Sequence, residues 1–177
     1  MNKNRFYKPV LAAMFLALAL VLPFLTGQIR QLGNALCPMH IPVLLCGFFC
    51  GPLYGLAVGI MAPLLRFALF GMPVLLPTGL CMCFELAAYG LVSGLLYRYL
   101  PKRKLSVYAA LVAAMLTGRA VWGITQVIYY GISGSAFGWT AFLTAAFVKA
   151  VPGIIIQLVL IPVLVITITR ATGEHRD

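Results

Sequence analysis

Residues 78–104 read TGLCMCFELAAYGLVSGLLYRYLPKRK. The apolar run from Thr78 to Tyr99 is long enough to cross a bilayer, whose hydrocarbon core of about 30 Å takes roughly 20 helical residues. Pro101 and the basic Lys102, Arg103 and Lys104 then stop it. Proline cannot continue a helix, and a cationic cluster beside a span marks its cytoplasmic side. Inside the run stands one acid, Glu85. A carboxylate in hydrocarbon costs several kcal/mol unless it meets a partner or water. One stretch therefore signals a spanning helix, its orientation and a buried charge to be explained.

The rest of the chain repeats the first of these signals. Of 177 residues, 63% are hydrophobic and 9% charged, against about 45–50% and 25% in soluble domains. That excludes a water-soluble globule, and the same apolar content excludes disorder. The expected architecture is an all-α membrane protein, a single domain over residues 1–177, with a six-transmembrane-helix bundle. Helix 1 is read from about Pro9 to Leu25, with Pro9 in its first turn. A polar loop follows, carrying Gln28, Arg30, Gln31 and Asn34. Helix 2, His40 to Cys50, is too short to span and ends at Gly51-Pro52; helix 3 covers Leu53 to Phe70 with Pro63 inside. Gly71-Met-Pro73 is a turn. Helix 4 runs from Thr78 to Tyr99, helix 5 from Ser106 to about Tyr130, and helix 6 from near Trp139 to Thr169 with Pro152 and Pro162 as kinks.

The net charge of +10 resides mainly at helix ends, at Lys3, Arg5 and Lys8, at Arg98 to Lys104, and at Arg170 and Arg176. That is the positive-inside pattern rather than a nucleic-acid surface. Placing both termini, the Gly51-Pro52 break and the Pro101–Lys104 loop inside leaves Arg30 as the one basic residue in an outer loop. Met1 to Thr26 resembles a signal peptide but is read as a retained first helix, because further spans follow. No G-x-x-x-x-G-K-[ST] stretch occurs, so energy for transport must come from a partner or a gradient. The cysteines Cys37, Cys46, Cys50, Cys81 and Cys83 form no zinc spacing and read as small buried hydrophobes.

Four ionisable residues fall within the expected spans: Arg66, Glu85, Arg119 and Lys149. Counted from the outer helix ends at 1.5 Å per residue, they lie roughly 6, 10–12, 16–18 and 15 Å deep. A cavity open to the outside and lined by helices 3 to 6 accounts for that convergence. One acid among three bases leaves excess positive charge for water, a backbone carbonyl or an anionic ligand, and Arg66 is also placed to snorkel to the outer interface. The structural alternative is that Glu85 only pairs with Arg119 or Lys149. Arg119, Trp122, Gln126 and Tyr129 share one stripe of helix 5, and Glu85 and Tyr89 one face of helix 4. Aromatic rings above cations suit a flat, polar-edged small molecule. His40 stands at the start of helix 2, as a ligand contact or a cap for the loop. No Ser-His-Asp set, carboxylate pair or His metal set is present, so neither catalysis nor a metal or other cofactor is expected.

Ala13 and Ala17 on helix 1, like Ala109/Ala113 and Ala110/Ala114 on helix 5, are small residues four apart that allow close helix approach. Taken together, the six-helix layout, Ala13-x-x-x-Ala17, the polar loop 1, HIPVLLCGFFCGPLYGLAVG (40–59), ELAAYGLVSGLLY (85–97) and Lys149 resemble the substrate-binding S components of energy-coupling factor (ECF) vitamin transporters. The resemblance implies a membrane-embedded subunit that binds a vitamin or related micronutrient from outside and has no ATPase of its own. Its implied partners are a membrane coupling subunit and two cytoplasmic ATPases. Ala13 and Ala17 would face the coupling subunit, and Arg30 and Asn34 of loop 1 would cover the ligand. Glu85, Arg119, Gln126 and Lys149 would line the pocket. Pantothenate fits the excess positive charge; riboflavin, a pyridoxine-type ligand and a folate stay open. The competing reading is a small polytopic scaffold whose charges serve only one another.

Overall fold

The computed structural model describes residues 3–26, 37–101, 104–133, 144 and 150–171. Among them the secondary structure is helical: α1 (Lys3–Val21), extended by a 3-10 turn (Leu22–Thr26), α2 (His40–Cys50), α3 (Pro52–Phe70), α4 (Leu80–Tyr99), α5 (Lys104–Ile132) and α6 (Val151–Ala171). Five segments are long and apolar enough to cross a membrane: Phe6–Phe24, Pro52–Phe70, Leu75–Tyr99, Lys104–Ile132 and Val151–Ala171. The 11-residue α2 is not. At 1.5 Å per residue it reaches only about half-way through a bilayer core.

That short helix is the centre of the bundle. Every residue of α2 except Phe49 is buried, as expected of a helix apolar on all sides. It packs against α1, α3, α4 and α6. Ala12, Phe15 and Ala19 of α1 join its core, with Val58 and Ala62 of α3, Leu86 and Tyr89 of α4, Ala110, Leu111 and Ala114 of α5 and Ile161 and Val165 of α6. All five cysteines are buried, as small apolar side chains are.

The boundary between α2 and α3 follows from two residues. Gly51 has φ +98°, where a side chain would be strained, and Pro52 then starts α3, where a missing N–H costs nothing. The chain reverses there and lays α3 along α4. A Cβ on Gly55 would run into the Gly90 carbonyl, and one on Gly90 into the Gly55 carbonyl. The two backbones touch, which is how small residues associate helices where lipid supplies no hydrophobic drive.

Three boundaries differ from the sequence reading. Helix 1 begins at Lys3, so Pro9 lies inside it rather than in its first turn. Residues 6–10 are exposed, and a carbonyl deprived of its donor near an exposed end is open to other partners. The segment before α4 is a separate turn, Leu75–Gly79, broken from regular helix by the extended Leu76. Pro152 is the second residue of α6 and needs no kink there, whereas Pro162 is interior. The expected portion of helix 6 before Ala150 lies outside the described residues, apart from Thr144.

Candidate functional site

Because α2 starts inside the bundle, its first residue meets the buried acid of α4. His40 Nε2 stands 3.4 Å from Glu85 Oε1, and its ring packs edge-on against Tyr89 with centroids 5.0 Å apart. One helical turn after Glu85, the Tyr89 hydroxyl donates to the same Oε1 at 3.3 Å. From α5, Arg119 Nη1 reaches Glu85 Oε1 at 3.0 Å. Gly118, the residue before it, is small because the Tyr89 ring lies where a Cβ would go. Glu85 is 2% exposed, His40 3% and Arg119 9%, so this is an ion pair out of water. Such a pair survives only with good geometry and further hydrogen bonds.

The second terminal nitrogen of Arg119 is also taken. Nη2 donates to Cys37 Sγ at 3.7 Å. Cys37 has φ +47°, uncommon for a non-glycine residue, and its carbonyl accepts from the His40 N–H at 3.1 Å. That turn closes the start of α2 and brings the thiol to the guanidinium. With His40 Nε2 facing Glu85, three buried atoms near this site have no hydrogen-bond partner among the described residues: His40 Nδ1, Arg119 Nε and, two turns further along α5, Gln126 Oε1. Buried polar atoms are usually satisfied, and an unsatisfied one calls for an explanation.

The structure brings together His40, Glu85, Tyr89 and Arg119 of the expected site residues. On α5 the expected stripe holds: Arg119 and Gln126 are buried and Trp122 and Tyr129 half-buried, while Ala120, Ile124, Val127 and Ile128 are exposed. Arg66 is elsewhere, which corrects the expectation that helix 3 contributes its charge to the same cavity. Its Nη1 donates to the Leu20 carbonyl at 2.7 Å, and its guanidinium lies 5.3 Å from the Phe24 ring centre and 5.6 Å from that of Phe70. Pro23 lacks the N–H that a 3-10 turn would direct at that carbonyl, so Arg66 caps the end of α1 from a neighbouring helix. The elements that meet at Glu85 are therefore the turn before α2, α2, α4 and α5. Arg30, Asn34 and Lys149 lie outside the described residues. Ala13 and Ala17 are exposed on the outer face of α1, opposite the buried Ala12, Phe15 and Ala19, whereas Ala110 and Ala114 are buried within the bundle.

Two features escaped the sequence reading. Cys37 was visible only as one buried cysteine among five; its place three residues before His40, at a helix start, was the available signal. The other is the row Gly47, Gly51, Gly55, Gly59, matched by Gly90 and Gly94, a small-residue spacing more regular than the alanine pairs.

Among known families, the model described as ECF transporter, substrate-specific component, matches residues 8–165. No curated protein and no solved structure matches the chain.

Proposed function

The chain belongs to the substrate-specific components of ECF transporters, and from that membership we propose that it captures a vitamin or related micronutrient from outside the cell at the Glu85–Arg119 level. It is a multi-pass plasma-membrane protein. The observation that carries the ligand reading is the set of unpartnered buried atoms on His40, Arg119 and Gln126 beside a neutralised ion pair. A purely structural pair has no use for them, whereas a polar small molecule supplies their missing partners. His40, Glu85, Tyr89, Arg119 and Gln126 would bind it, with Trp122 as an aromatic wall. Arg30, Asn34 and Lys149 join them through the family resemblance.

Energy comes from the partners. The membrane coupling subunit would meet the exposed Ala13/Ala17 face of α1, and two cytoplasmic ATPases would drive release inward. The orientation follows the charges: both termini, the Gly51-Pro52 reversal and the Pro101–Lys104 loop are cytoplasmic, with α2 as a half-length sixth helix of the bundle. Pantothenate was favoured by three bases facing one acid. With Arg66 bound to α1 and Arg119 paired to Glu85, that excess now rests on Lys149 and Arg30, and riboflavin, a pyridoxine-type ligand and a folate stay open beside pantothenate.

The scaffold reading is favoured by the closure of the Glu85–Arg119 pair, since charges that satisfy one another need no ligand. Native mass spectrometry of the detergent-purified chain, with denaturing identification of small molecules, separates the two. A stoichiometric vitamin-sized compound is the expected result. An empty protein that also ignores a panel of B vitamins in thermal-shift titration would favour the scaffold.

A further inference from the structure

One residue holds two members of the polar set around Glu85. Cys37 meets Arg119 with its side chain, Sγ accepting from Nη2 at 3.7 Å, and His40 with its backbone, the carbonyl accepting from the His40 N–H at 3.1 Å. Both of those neighbours carry a buried atom without a partner among the described residues, Arg119 Nε and His40 Nδ1. A guanidinium is planar and presents five N–H donors in one rigid fork. Held by Glu85 alone, through Nη1 at 3.0 Å, the fork could swing about that contact. A second contact at Nη2 fixes its plane, and with it the direction of every N–H not yet engaged, Nε–H among them. Sulfur is a weak acceptor, so the contact adds little to the stability of the bundle; what it sets is orientation. The backbone points the same way. At φ +47° a glycine would be unstrained and a cysteine is uncommon, so a side chain kept there against strain marks a use for it.

We propose that Cys37 is a positioning residue of the ligand site: its thiol sets the plane of the Arg119 guanidinium so that the remaining N–H groups meet a polar small molecule. This rests on the binding-subunit reading and deepens it, because a residue acting through Arg119 then decides how tightly that molecule is held. Pre-set donors cost less to order on binding than donors that must first be turned into place.

The test uses the full chain in lipid nanodiscs and isothermal titration with riboflavin, pantothenate, pyridoxine and folate, together with any compound that copurifies. Cys37→Gly keeps the turn, since glycine adopts positive φ without strain, and removes the thiol. Whichever probe binds the parent chain should bind this variant roughly fivefold or more weakly, while the unfolding midpoint without ligand stays within about 2 °C. Cys37→Ser restores an acceptor, but a hydroxyl needs the closer approach of an N–H···O bond, roughly 2.7–3.2 Å, so it should recover part of the affinity. Equal affinity in the parent and Cys37→Gly overturns the proposal, as does a serine variant that binds no better than the glycine one. A midpoint that falls along with the affinity assigns Cys37 to packing and overturns it as well. Should Cys37→Gly not fold, Cys37→Ser and Cys37→Ala share the same strained turn and differ in the acceptor; serine is expected to bind the probe more tightly, and equal affinity is the refuting result. If no probe binds the parent chain and nothing copurifies, the binding-subunit reading itself falls and this proposal with it.

Discussion

Glu85→Gln is the substitution whose effect the structure defines most sharply. Glutamine keeps the shape and an oxygen for the Tyr89 hydroxyl, now 3.3 Å from Oε1, so the change removes charge and little else. What it strands is Arg119, 9% exposed and 3.0 Å from Oε1, with no other acid beside it among the described residues. Breaking a buried pair from one side costs about 3–5 kcal/mol, a factor of roughly a hundred to several thousand at 1.4 kcal/mol per tenfold. Arg119→Met should cost a similar amount by stranding Glu85. Removing both ends leaves no uncompensated charge, so the double variant should be more stable than the sum of the singles by at least about 2 kcal/mol. An ordinary interhelical hydrogen bond in a membrane protein couples by only about 0.6 kcal/mol, so the size of the coupling decides between the two. The assay is a double-mutant cycle in mixed micelles, following reversible unfolding by tryptophan fluorescence and circular dichroism. Additivity within about 0.5 kcal/mol would refute the ion pair as the organising contact of this site.

Three further outcomes follow from the packing. Gly90→Val should destabilise the bundle by about 1–3 kcal/mol or more, because its side chain meets the Gly55 carbonyl and neither backbone can yield; Gly131→Ala, with open space around it, should be neutral or slightly stabilising in the same unfolding assay. Arg66→Met removes the bond to the Leu20 carbonyl and two cation–π contacts. It should raise amide exchange in the turn at Leu22–Thr26, with Arg66→Lys restoring protection only in part; unchanged exchange would remove the cap. Ala13→Trp should leave ligand binding intact and block uptake by the assembled transporter, whereas normal uptake would place the partner surface elsewhere on the chain.

Much of this architecture was legible because breakers and charges are local signals. Gly51-Pro52 marks the end of α2 and the start of α3 to the residue, since positive φ and a missing N–H are properties of those two side chains alone. Pro9 misled because a proline's tolerance depends on what surrounds the carbonyl it deprives, which is a property of the fold. The stripe Arg119–Gln126 was readable from 3.6-residue periodicity, but which acid or carbonyl each base would choose was not. Arg66 and Arg119 are chemically alike; one lies beside the end of α1 and the other beside Glu85 only because of how α3 and α5 pack around α2. Cys37 was hidden for the same reason, since its role depends on a left-handed turn that no residue type announces.

The length of α2 links fold to site. A full span would carry His40 to the membrane surface, where a solvated imidazole is unremarkable. With 11 residues the helix instead begins in the interior, at the level of Glu85. Starting a helix inside a bundle leaves N–H groups without partners. Here the His40 N–H is taken by the Cys37 carbonyl, and Pro42 has none to satisfy. The positive end of the α2 dipole then sits beside the Glu85 side chain, on the same side as Arg119. A buried acid, a helix start and a guanidinium thus compensate one another, and the polar valences left over on His40, Arg119 and Gln126 lie where lipid cannot fill them. In a molecule whose other faces are apolar, that surplus is the feature that packing alone does not require, which is why the ligand reading rests on it.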